Sequence, residues 1–176
     1  MQFKEATKND AAALIEYFKL VGGESDNLLF GPEGMGLTTE QMEEMLFSLE
    51  NAKKSTLFIG SVDSVIACVG SVRTNTGRAH MSHQGEIALS VQKKYWGQGW
   101  GKALLKELIQ FGKASDLKAL HLGVKADNPS AIRLYEKMGF TAYGNHPNFF
   151  KIEGKYFHKI LMYLELEDSK TRMGEG

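Results

Sequence analysis

Three glycines at alternate positions, Gly97, Gly99 and Gly101, sit in the run Tyr95-Trp96-Gly97-Gln98-Gly99-Trp100-Gly101-Lys102. Glycine lets a backbone turn sharply and lets a ligand approach it closely. An amphipathic stretch follows from about Gly99 to Ser115, with Leu104, Leu108 and Phe111 on one stripe, as a helix requires. The start of a helix offers N–H groups without internal partners and the positive end of a dipole. A strand, a glycine turn and a helix start in that order can cradle phosphate without any dedicated side chain. Two phosphate-binding patterns fail here on spacing. A P-loop would need Ser or Thr after Gly101-Lys102, where Ala103 stands, and the dinucleotide fingerprint would need its third glycine one position later. Alone, the turn reads equally as a tight connection that holds nothing.

A second constellation runs Asp127-Asn128-Pro129-Ser130-Ala131-Ile132-Arg133-Leu134-Tyr135-Glu136-Lys137-Met138-Gly139-Phe140. Pro129 suits the first position of a helix and Gly139 suits its end. Ala131, Leu134, Tyr135 and Met138 follow the i, i+3, i+4, i+7 spacing, which puts Tyr135 on the inward face. Periodicity alone makes it a core tyrosine.

Taken together, the two segments resemble the acyl-CoA-binding core of the GNAT acetyltransferases. The family's first motif, Q/R-x-x-G-x-G/A after a strand, is matched at Gly99 and Gly101 and departs at Trp96, which stands in place of Gln or Arg. The second, N-x-x-A-x-x-L-Y-E-K-x-G-F, is matched at every fixed position from Asn128 to Phe140. The resemblance implies a mixed α/β (α+β) fold. Its central, mostly antiparallel sheet is splayed at the cofactor site and flanked by about four helices. It implies acetyl-CoA as cosubstrate, with the pyrophosphate on the amides of Gly97, Gln98, Gly99, Trp100, Gly101 and Lys102. The pantetheine arm would pair with Leu89, Ser90 and Val91, on a strand that often carries a bulge. Asn128 would contact the cofactor near its thiol end, and Tyr135 would face the sulfur.

Such chemistry needs an acid for the leaving thiolate, and a phenol within hydrogen-bond reach can serve. Tyr135 takes that role through the motif. A base is also needed, because a lysine-like amine is only about 0.04% neutral at pH 7. Glu86 is the candidate, acting directly or through a water; the other reading of it is a solvated or ion-paired strand glutamate. Strand alternation puts Glu86, Ala88 and Ser90 on one face and Ile87, Leu89 and Val91 on the other, unless a bulge shifts the parity. His80, His83 and Glu24 are further candidates. On the acceptor side, Glu24 and Asp26 could attract a cationic amine, or could simply be loop charges. The stretch His146-Pro147-Asn148-Phe149-Phe150-Lys151 reads as the last loop, with Phe149 against a pocket. The acceptor stays open among polyamines, amino acids, aminoglycosides and peptide N-termini. A non-catalytic acyl-CoA sensor on the same fold is the alternative.

The rest of the sequence must position these groups. Gln2 to Ala6 is a strand. A helix starts at Thr7-Lys8-Asn9-Asp10 and ends at Gly22-Gly23, and another starts at Thr38 with Gln41, both with capping-box spacing. Thr56 to Val62 and Val65 to Val72 form a hairpin about Asp63-Ser64. Strands follow at Glu86 to Val91, Leu120 to Val124, Phe140 to Gly144 and Lys155 to Leu166, with a helix from Ser130 to Met138. The 176 residues fit one domain, 1–166, with a polar tail, 167–176. Basic and acidic residues balance at 21 each, unlike the footprint of a nucleic-acid binder. Cys68 is the single cysteine, so no intrachain disulfide or multi-cysteine zinc site can form, and the histidines show no metal spacing. No apolar run reaches the length of a membrane span. These features predict a cytoplasmic protein without a metal, a nucleic-acid partner or a membrane. It would act on a small-molecule or peptide amine, and the family makes a homodimer possible.

Overall fold

The computed structural model describes residues 1–166; the polar tail expected at 167–176 lies outside the described residues. Its strands are β1 (Phe3–Glu5), β2 (Thr56–Val62), β3 (Val65–Arg73), β4 (Gln84–Val91), β5 (Ala119–Lys125), β6 (Thr141–Ile152) and β7 (Lys155–Glu165). The helices are α1 (Ala11–Glu24), α2 (Thr39–Glu50), α3 (Trp100–Ala114) and α4 (Pro129–Lys137). The strands form one sheet in the order β1-β2-β3-β4-β5-β7-β6. Every pairing is antiparallel except β4 with β5. This is the mixed, mostly antiparallel sheet with four helices that the sequence predicts.

Each sheet face has its own apolar layer. Leu14, Tyr17, Val21, Met42 and Leu46 of α1 and α2 pack with Leu57, Ile59 and Val69 on one side. Leu104, Leu105 and Leu108 of α3 and Tyr135 of α4 pack with Val72, Ile87, Leu120 and Met162 on the other. The α2 start is a capping box in which Thr38 Oγ1 accepts from Gln41 N and Gln41 Oε1 accepts from Thr38 N. Among the described residues no helix is long and apolar enough to cross a membrane.

Two boundaries differ most from the sequence reading. The first helix continues through Gly22-Gly23 to Glu24. A Cβ on Gly22 would lie 1.9 Å from the Gly31 carbonyl oxygen, so this glycine marks where a loop backbone crosses the helix, not where the helix ends. The expected last loop, His146 to Lys151, lies within β6, and the turn falls at Glu153-Gly154. β6 is an edge strand whose register breaks between His146 and Phe150. An irregular edge tolerates Pro147, which has no N–H to donate, and Asn148 at φ 53°.

The site depends on one irregularity of the sheet. β4 pairs with β3 in unbroken register from Arg73–Glu86 to Cys68–Val91, so no bulge disturbs that pairing and the alternation of Glu86, Ala88 and Ser90 holds. With β5 it pairs only through Gln84–Ala119, Gly85–Leu120 and Glu86–His121. Beyond Glu86 the two strands diverge, and one backbone edge of β4 from Ile87 to Val91 has no strand beside it.

Candidate active site

A cavity of about 1120 Å³ fills the divergence. It is lined by Glu86 through Val91 on β4, by Gly97, Gly99, Trp100, Gly101 and Lys102, and by Asn128 and Tyr135 across from them. Gln98 is not among the lining residues; its side chain turns back to donate to the Lys94 carbonyl at 2.8 Å.

The glycine loop is built for close approach. Gly97 and Gly99 have φ of 72° and 86°, values that L side chains rarely adopt. A Cβ on Gly97 would meet nothing within 4 Å, so open space rather than packing lies over it. Gly99 is the N-cap of α3 and brings no side-chain cap, and the first turn carries no acid. The first N–H groups of α3 are therefore free of helical partners and meet no local negative charge. Trp100 anchors this end, buried edge-to-face on Phe3 at 6.0 Å. Trp96 donates its indole N–H to the Val91 carbonyl at 2.7 Å and fixes the end of β4 beside the loop. Lys102, Arg133 and Lys137 add positive charge around the cavity. An uncapped helix start, glycine amides and basic side chains are a donor set that fits a diphosphate. The unpaired edge of β4 fits an extended amide chain. Acetyl-CoA has both parts, so the residues fit it.

Opposite the loop, Asn128 caps α4, its Oδ1 accepting from Ala131 N at 3.2 Å. The far end of α4 closes in a Schellman arrangement: Gly139 N donates to Glu136 O and Phe140 N to Tyr135 O, both at 3.0 Å. Gly139 supplies the required φ of 92°. The apolar contact of that motif is Phe140 against Tyr135, ring centres 5.9 Å apart. The cap thus orients the tyrosine ring. The Tyr135 hydroxyl makes no hydrogen bond among the described residues, and burial pushes the phenol up to about 12, so it is protonated throughout the neutral range.

A second tyrosine, which sequence periodicity places only on an apolar stripe, also reaches β4. Tyr17 of α1 donates to the Ser90 carbonyl at 2.9 Å, and its hydroxyl lies 3.0 Å from Ser90 Oγ. Burial holds its phenol well above the ordinary value, against the lowering effect of the Ser90 bond. The bond straps the diverging part of β4 to α1. Cys68 is buried, and burial pushes its thiol up to about 12, so it is a packing residue and not a nucleophile.

The remaining candidates are dispersed. Glu24 lines the cavity, but its Oε2 accepts from Lys93 N at 2.8 Å and so terminates the turn after β4. Asp26 is exposed and outside the lining. Phe149 is also outside the lining and lies under the Lys159 ammonium. His83 lies next to Gln84, its Nε2 3.1 Å from the Gln84 amide nitrogen, and His80 is in the exposed turn Ala79–Met81. Among the described residues no group of three or more His, Cys, Asp or Glu side chains could hold a metal ion.

Known proteins match this chain in sequence and fold. Residues 27–140 match the model of the Acetyltransferase (GNAT) family. A solved acetyltransferase of the GNAT family from Streptococcus pneumoniae superposes with a TM-score of 0.90 at 30% identity, covering 93% of this chain and 98% of that one. The N-alpha-acetyltransferase RimI of Mycobacterium tuberculosis is 32% identical over 66 residues, 38% of this chain and 40% of that protein. A spermidine N(1)-acetyltransferase of Vibrio cholerae is 23% identical over 116 residues, 65% of each chain. The chain spans between 34% and 65% of the length of the curated relatives it matches first. With the splayed strand pair, the uncapped helix start and the second motif's tyrosine all in place, the family match extends over the site itself, and the chain belongs to the GNAT acetyltransferases.

Proposed function

We propose that the protein transfers an acetyl group from acetyl-CoA to a primary amine by direct attack within a ternary complex. The observation that carries this reading is the gap between β4 and β5, which holds an unpaired strand edge, an uncapped helix start and a buried, unpartnered phenol in one cavity. Acetyl-CoA supplies a thioester, activated for acyl transfer. Glu86, at the point of divergence, takes a proton from the amine directly or through a water. N–H groups of Leu89 to Val91 polarise the thioester carbonyl. As the N–C bond forms and the C–S bond breaks, Tyr135 gives its proton to the departing sulfur. The net exchange is amine and thioester for amide and thiol, with the amine's proton replacing the one Tyr135 gave up. The packed state of Cys68 supports direct attack, because it leaves no cysteine to carry the acetyl group.

Polyamine, protein N-terminal and phosphinothricin amines all occur as acceptors in the names of the relatives, so the class of acceptor needs its own argument. The same proposal covers one domain over residues 1–166, the polar segment 167–176 as a tail, and residence in the cytoplasm. It also includes a homodimer, for which exposed Tyr143 on edge strand β6 and Tyr156 and Tyr163 on β7 offer a surface. Sedimentation would test the dimer.

Acetyl-CoA should raise the melting temperature, and thiol release should follow addition of an amine. A hundredfold excess over Kd stabilises by about 2.7 kcal/mol, or roughly 5–10 °C for a chain of this size. Stabilisation without thiol release across a broad amine panel would instead indicate a binding module.

A further inference from the structure

The sheet face opposite α3 and α4 carries a second cavity, of about 720 Å³. It lies beneath the Thr74–Gly77 connection and over β5, β6 and β7. Strand register puts Arg73, Glu86 and His121 in one row across β3, β4 and β5. Directly opposed residues on neighbouring strands share a face. Lys159 reaches the same place from β7. Its stem crosses β5 at Gly123, where a Cβ would lie 1.8 Å from Lys159 Cε. The ammonium ends 4.2 Å from the centre of the Phe149 ring. Arg73, Glu86, Gly123 and Lys159 line both cavities, so the two spaces meet where β4 and β5 part.

Among the described residues, Arg73, Glu86 and Lys159 make no salt bridge. Arg73 and Glu86 are direct cross-strand partners of opposite sign, yet the guanidinium turns to Met45 Sδ at 3.3 Å. His121 adds little positive charge: burial holds it below the ordinary imidazole value, with Glu86 pulling the other way and His83 reinforcing the burial. Neither of its ring nitrogens finds a partner. One carboxylate beside two cations that lack an ionic partner, one resting on Met45 and one on the Phe149 ring, complements a molecule with one cation beside an anion. A polyamine would bring further positive charge towards Arg73 and Lys159, and like charges brought together disfavour a partner.

We infer, resting on the acetyl-transfer reading above, that the acceptor is a small zwitterionic amine of the α-amino-acid type. Its anionic group sits between Arg73 and Lys159 and its amine faces Glu86. Gly123 is then a specificity residue, because it is the opening through which Lys159 reaches the junction.

The test is steady-state thiol release from the whole chain with acetyl-CoA. The acceptors are the α-amino acids, each beside its own amide and its decarboxylated amine, with spermidine as the polycation. A hydrogen-bonded charge contributes about 1.5–3 kcal/mol, which is tenfold or more in affinity. The expected result is a kcat/KM at least about tenfold higher for the anionic member of the best triad. Arg73→Gln and Lys159→Met should each raise its KM by about tenfold, with the KM for its neutral amide changed far less. Gly123→Ala should move the same KM by displacing Lys159. Preference for neutral amines or spermidine, or an unchanged KM in both cation variants, overturns this inference and leaves acetyl transfer standing. No thiol release from any amine, in protein that acetyl-CoA still stabilises, removes the transfer reading and this one with it.

Discussion

Tyr135→Phe removes a single oxygen from the site, and the structure sets what that should do. The ring stays packed on Phe140, because that contact does not involve the hydroxyl. The hydroxyl has no hydrogen bond among the described residues, so no partner is stranded, and stability should change by less than about 0.5 kcal/mol. A positioned general acid contributes about 10²–10⁴ in rate. Two features put this one at the low end. A thiol has an ordinary pKa near ~8.5, so a thiolate leaves more readily than an alkoxide. The phenol, pushed up to about 12, is also a weaker acid than usual. Proton transfer to an ordinary thiolate would be uphill by about three pKa units, but the burial that raises the phenol raises a thiolate in the same cavity too. A loss of about 10²-fold in kcat follows, about 2.7 kcal/mol of barrier. Thiol release at saturating acetyl-CoA and acceptor measures kcat, titration of acetyl-CoA should give a KM within about twofold of wild type, and a thermal melt checks the fold. A kcat within twofold of wild type refutes the acid role. A large fall in melting temperature would show that the oxygen is structural.

Three further outcomes follow from the same contacts. Tyr17→Phe removes the donor to the Ser90 carbonyl, which should cost about 1–3 kcal/mol of stability and, by loosening the edge of β4, weaken acetyl-CoA binding; melting and calorimetric titration measure the two effects. Gly139→Ala places a side chain at φ 92° and strains the cap that orients Tyr135; stability should fall by about 1–2 kcal/mol and kcat should fall with it, whereas an unchanged kcat would separate the cap from the chemistry. The third outcome concerns alkali. The folded-state pKa values of Tyr17 and Tyr135 are raised, so the unfolded chain releases these protons first, near pH ~10. Stability present below pH ~10 should be lost as the pH climbs towards about 12. The decline, read from urea midpoints, should be shallower in Tyr135→Phe.

What the sequence reveals most fully is what local chemistry dictates. In the Asn128–Phe140 stretch four residues have a short-range reason. Asn128 caps, Pro129 opens the helix, Gly139 takes the positive φ, and Phe140 returns to Tyr135. The face of Glu86 follows from alternation because β4 stays in register with β3. The features hidden from the sequence are contacts between distant segments. Tyr17 and Ser90 are 73 positions apart. Gly22 is needed because the backbone of Gly31 crosses it. Glu24 looks like a free loop charge until Lys93 N–H is seen beside it. The meeting of Arg73, Glu86 and Lys159 depends on the registers of β3, β4, β5 and β7 together. The irregular edge of β6 hid a strand behind Pro147 and Asn148, residues that in most sequences announce a loop.

The brevity of the β4–β5 pairing also divides the molecule mechanically. β1 to β4 come from the first 91 residues and β5 to β7 from residue 119 onward, and three residue pairs join the two half-sheets. Cooperative unfolding needs its parts strongly coupled, and here the backbone coupling is narrow. A cosubstrate lying along Ile87–Val91 and reaching α4 would add a further link between two half-sheets that otherwise share three backbone pairs and the apolar layer under α3. Amide exchange at β4 and β5 would then slow together on binding.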